Sequence, residues 1–170
     1  MSRNRILLTR AIEEADGYAE LGMLEHALHA LQRRGALVHS DGRACFLLGE
    51  ALRTLDRFEE ALLPLERSSD LMPDDIHVLL ALAWCYKRTG QLAKAIEALE
   101  KAVRVDPSEG ILHYNLACYW SLVGNRTLAL RYLAKSLEID TNFRDMIGTE
   151  SDFNPIRSDA GFIALTSVVA

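Results

Sequence analysis

Four stretches of this 170-residue chain align on one another at a constant step of 34 residues. Gly22, Asp56, Gly90 and Gly124 fall in register, as do Leu24, Phe58, Leu92 and Arg126. Ala27, Ala61, Ala95 and Ala129 follow at the same step, then Leu31, Leu65, Leu99 and Leu133. Within each unit, apolar residues recur at helical intervals and predict two amphipathic helices of about a dozen residues joined by a tight turn. In the third unit the first helix is expected over 74–88, burying Leu79, Leu82, Ala83 and Tyr86. Gly90 then turns the chain, because glycine tolerates positive φ just past a helix end. The second helix, over 92–104, buries Leu92, Ala95, Ile96, Leu99, Ala102 and Val103. Ala95 is small where two helix backbones approach closely, and Asp106-Pro107 closes the unit, since proline cannot continue the ladder. One such pair cannot cover its own apolar face, so neighbouring pairs have to stack.

A small residue at the turn and an alanine five positions later, at this period, resemble the tetratricopeptide repeat (TPR). The resemblance implies an all-α fold, a right-handed α-solenoid of antiparallel helix pairs. It places repeats at 8–41, 42–75, 76–109 and 110–143 of a single domain, 1–170, with 144–170 as a C-terminal capping segment. The first repeat is the most degenerate, because Arg34-Gly35 breaks its closing segment. In the second, Asp56 replaces the turn glycine, and Pro64 inside the second helix suggests a kink or a late helix start. The tail matches an Asp-Phe-x-x-Ile/Leu-Arg-x-Asp-x-x-Phe-x-x-Leu pattern that follows many bacterial arrays of this family, through Asp152, Phe153, Ile156, Arg157, Asp159, Phe162 and Leu165.

Composition narrows the function. A net charge of −5, with basic residues scattered among acidic ones, argues against nucleic acid. No run approaches the roughly 18 apolar residues that span a bilayer. Cys45, Cys85 and Cys118 sit inside expected helices and read as reduced thiols, which suits a cytoplasmic protein. Glycine-rich phosphate loops are absent. His26 and His29 lie three apart beside Glu25, but no second cluster completes a metal site. His113 and Cys118 point about 140° apart around their helix, which disfavours a nucleophile–base pair. The expectation is no catalysis, no metal and no cofactor.

In this family the first helix of each pair lines a concave groove. The resemblance carries six positions per repeat onto this chain. They gather Phe46, Leu47, Leu80, Trp84 and Tyr114 into an apolar floor, with Arg53, Lys87 and Arg88 along one margin and Asn115 nearby. An apolar patch edged by charge marks a partner site, and aromatic anchors with arginine dominate binding energies. The expected ligand is a protein or peptide segment, apolar with an acidic flank. The carboxylate clamp of chaperone co-factors in this family is not reproduced; of its positions only Asn115 matches. Two other readings stand beside this one. The length, acidity and Phe46-Leu47-Leu48-Gly49 segment are similar to class II chaperones of type III secretion translocators, and Phe46 with Trp84 could serve homo-oligomerisation.

Overall fold

At every 34-residue step the chain passes through a residue of positive φ: Gly22 (71°), Asp56 (58°), Gly90 (76°) and Gly124 (83°). A left-handed residue past a helix end lets the next N–H reach back to an orphan carbonyl. Met23 N–H donates to Tyr18 O, Arg57 to Leu52 O, Gln91 to Tyr86 O and Asn125 to Trp120 O, all at 2.7–2.9 Å. The recurring small residue is therefore a recurring helix stop. Asp56 adopts the same conformation with a side chain, at a cost of about 1 kcal/mol.

The computed structural model describes residues 3–167; positions 1–2 and 168–170, the extremes of the expected domain, lie outside the described residues. The helices are α1 (Arg3–Glu20), α2 (Leu24–Gln32), α3 (Gly42–Thr54), α4 (Phe58–Leu71), α5 (Ile76–Arg88), α6 (Leu92–Val105), α7 (Gly110–Val123), α8 (Arg126–Ile139), α9 (Phe143–Ile147) and α10 (Ala160–Thr166). Short 3-10 segments run over Gly35–Ser40 and Ser151–Ile156, and no strand occurs among the described residues. The fold is an all-α helical repeat. Side chains start several of the helices: Asp41 accepts from Ala44 N–H, Asp75 from His77 and Val78, Asn125 from Leu128, and Asp159 from Gly161 and Phe162. Each such cap contributes about 1 kcal/mol. Pro64 does not delay its helix, contrary to one expectation: α4 begins at Phe58 and continues past it to Leu71. The missing N–H leaves only the carbonyl of exposed Glu60 without its helical donor, a group that water reaches.

The chain divides into two compact units, Met1–Gln91 and Leu92–Ala170. In the first, α1, α3 and α5 lie side by side, α2 pairs with α1, and α4 pairs with α3 and packs on α5. The α3–α4 contact is tight at Gly49, where a Cβ would fall 2.5 Å from Leu65 Cγ. In the second unit α7 pairs with α8 and meets α6. The 3-10 segment Ser151–Ile156 lies on α7, while α9 and α10 pack on α8. Phe153, Ile156 and Phe162 are buried there. At about 1.5–3 kcal/mol per large apolar side chain, those three hold the tail down.

Candidate functional site

The inner wall of the first unit is built from α1, α3 and α5. On α5 the apolar pattern is nearly continuous: Val78, Leu79, Ala81, Leu82, Ala83, Cys85 and Tyr86 are all buried. One stripe of that helix faces water instead. His77 is exposed, Leu80 half-buried, Trp84 39% exposed and Arg88 exposed, at a spacing of three, four and four. Leaving 39% of an indole in water forfeits part of the largest apolar side chain available. Lys87 Nζ lies 5.6 Å from the Trp84 ring centroid, and the Arg88 guanidinium sits 4.7 Å from that of Phe58 on α4.

On α3 the neighbouring stripe is more closed. Phe46 is half-buried, with the Arg43 guanidinium 5.9 Å from its ring. Arg43 also reaches across to α1, where Asp16 accepts at 2.7 Å. Arg53 forms two bonds to Glu50 one turn earlier, through Nε at 2.9 Å and through Nη2. That hydrogen bond holds the Arg53 guanidinium above its usual pKa, against the opposing effect of burial. Below the wall, burial raises the Cys85 thiol to about 11, with Arg53 lowering it and Glu50 raising it.

Three expected site residues need correcting. Leu47 is only 8% exposed and belongs to the core, because its side chain turns inward from α3. Arg53 is not a free basic margin, since Glu50 cancels its charge locally. Tyr114, placed in the apolar floor by its repeat position, is 2% exposed. Phe143 stacks on its ring at 5.2 Å and Phe153 meets it edge-on at 5.6 Å, so the tail fills the face that a ligand would need. Asn115, next on α7, is half-buried. Phe46, Leu80, Trp84, Lys87 and Arg88 are the expected residues of the first unit that stay at least partly exposed.

Of the histidine pair considered from sequence, His26 is otherwise engaged. His26 packs against Tyr18 at 5.3 Å between ring centroids, and the nearby Arg33 grips Glu14 through a 3.0 Å ion pair. Among the described residues, His26, His29 and Glu25 do not converge into a ligand set; a different group, Cys118, Glu150 and Asp152, does. Among the described residues no helix is long and apolar enough to cross a membrane.

Comparison with known proteins agrees with this architecture. The family model described as Tetratricopeptide repeat matches residues 52–117. Among solved structures, MamA (residue 41 to the end) from Desulfovibrio magneticus RS-1 is 25% identical, with a TM-score of 0.72 over 78% of this chain and 75% of that one. A crystal structure of MamA aligns at 24% identity and TM-score 0.73, covering 84% and 81%. YrrB, described as a TPR protein with an unusual peptide-binding site, aligns at 21% identity and TM-score 0.74, covering 79% and 70%. Among curated proteins none matches the sequence.

Proposed function

This chain is a tetratricopeptide-repeat protein, and from that premise we propose that it works as a non-enzymatic adaptor. It takes a segment of a partner polypeptide against the inner wall of α1, α3 and α5. The observation that carries this reading is Trp84. It is 39% exposed on a helix whose other large apolar residues are buried apart from half-buried Ile76 and Leu80. A tryptophan more than a third exposed loses stabilisation that a docking side chain would restore, and tryptophan is among the strongest interface anchors. Phe46 extends the apolar strip onto α3. The preference for an acidic flank rests on exposed Arg88 at the C-terminal end of α5, with Arg53 taken up by Glu50. Glu13 and Glu20, exposed on α1, make the opposite edge acidic, so a bound segment is oriented with its basic side towards α1.

Trp84 fluorescence in a Trp120→Phe background gives a single reporter. Peptides with an apolar centre and an acidic end are expected to shift it saturably, and Trp84→Ala is expected to weaken binding at least tenfold. Equal affinity of wild type and Trp84→Ala for such a peptide, measured by calorimetry, refutes the site.

A further inference from the structure

The second unit holds a cluster that the adaptor reading does not use. Cys118 Sγ and carboxylate oxygens of Glu150 and Asp152 all lie within 4.8 Å of one another, between α7 and the segment that covers it. Cys118 is 2% and Asp152 8% exposed, and Glu150 is half-buried. Burying a carboxylate and a thiol beside a second carboxylate penalises each charge by desolvation, a penalty that a bound cation offsets. Tyr114 supplies an independent sign. Its hydroxyl is buried with no hydrogen-bond partner, one helical turn before Cys118 on α7, and it feels the charges of Glu150, Asp152 and Arg157.

We propose that Cys118, Glu150 and Asp152 form a binding site for a divalent zinc-type cation that staples the C-terminal tail to α7.

The ligand types choose the ion. A thiolate with two carboxylates suits zinc or cobalt(II), whereas magnesium and calcium want oxygen alone. Zinc ligands at about 2.0–2.3 Å in a tetrahedron stand about 3.3–3.8 Å apart. The present 4.8 Å envelope therefore needs a contraction of about 1 Å, within reach of carboxylate rotation. Supporting bonds are already in place. Asp152 N–H donates to Glu150 Oε1 at 3.0 Å, which fixes that carboxylate and leaves Oε2 for the ion. Arg157 Nη2 donates to the Glu150 carbonyl at 2.7 Å, pinning the backbone that carries both carboxylates. Charge balances as well: a dication against thiolate and two carboxylates leaves one negative charge, which Arg157 offsets. On binding, the S–H bond of Cys118 breaks, sulfur keeps the electron pair and bonds the ion, and the proton leaves to solvent, so affinity rises with pH.

The test uses the full chain, freed of metal and kept reduced, titrated with cobalt(II). Wild type is expected to take up one equivalent with a thiolate-to-cobalt charge-transfer band in the near ultraviolet. Cys118→Ser is expected to lose the band, and Glu150→Gln to weaken binding at least tenfold while retaining wild-type circular dichroism. Zinc should raise the melting temperature of wild type and raise that of Glu150→Gln by less at the same concentration. His26→Ala/His29→Ala should bind as wild type does. Absence of the band in wild type, its persistence in Cys118→Ser, or its loss in the histidine variant overturns the proposal.

Discussion

Gly49→Ala and Gly17→Ala are the same chemical change inside two helices of the same unit, with opposite expected signs. Alanine in place of glycine in a helix interior gains about 1 kcal/mol in helix propensity. At Gly17 on α1 nothing lies within 4 Å of the new methyl group, so that gain stands alone. At Gly49 on α3 the methyl would sit 2.5 Å from Leu65 Cγ and 2.7 Å from Leu65 Cδ2. Leu65 is fully buried and cannot swing aside, and the Ala61 carbonyl stands 3.4 Å away on the same side. Overpacking of this kind costs about 1–3 kcal/mol. Taking about 2 kcal/mol for the clash and subtracting the propensity gain, Gly49→Ala should destabilise by about 1 kcal/mol. Urea unfolding followed by far-ultraviolet circular dichroism reads both variants as shifts in midpoint. A double variant sharpens the test: with Leu65→Ala in the background the clash disappears, and Gly49→Ala should become stabilising. A Gly49→Ala midpoint above wild type, as for Gly17→Ala, would refute the claim that α3 and α4 are tightly packed at this point.

Four further outcomes follow from the same geometry. Asp56→Gly relieves the left-handed strain of a side-chain-bearing residue at the second turn and should raise stability by about 0.5–1 kcal/mol, read by the same urea midpoints. Phe153→Ala removes a fully buried ring from between Tyr114 and Phe162 and should cost about 3–5 kcal/mol, with earlier proteolysis of the tail. Cys85, pushed up to about 11 mainly by burial, should stay unlabelled by thiol reagents in the native protein at neutral pH and react on unfolding. Hydrogen bonds from the Ser108 side chain and backbone hold Asp106 below its ordinary pKa, so its contribution to stability is present above the unfolded value and fades as pH falls through the folded one; Ser108→Ala should raise that pKa in an NMR titration.

The repeat was legible because its signals are local. A left-handed turn residue, an aspartate or asparagine at a helix start and an alanine at a crossing each act within one or two helical turns, and the sequence states them directly. Asp56 shows how far this holds: it adopts the turn conformation of the glycines without being one. Arg53 was readable in principle, since Glu50 stands one turn earlier on the same face, yet its repeat position alone suggested an open cation. Tyr114 was not readable. Its position is equivalent to that of Phe46 and Leu80, and only the fold of a segment more than thirty residues later decides that it is covered. The Cys118–Glu150–Asp152 group escaped for the same reason, since no metal-ligand spacing joins residues so far apart in sequence.

The central claim is that the inner face of α5 receives another polypeptide. A photo-crosslinking residue at His77, exposed two turns before Trp84 on the same stripe, leaves the indole intact and can be activated in the native cell. The account predicts an adduct to a single polypeptide segment there, lost when Trp84→Ala is added and absent when the crosslinker is moved to exposed Leu63 on α4. An adduct unchanged by Trp84→Ala, or equal labelling from Leu63, would contradict it.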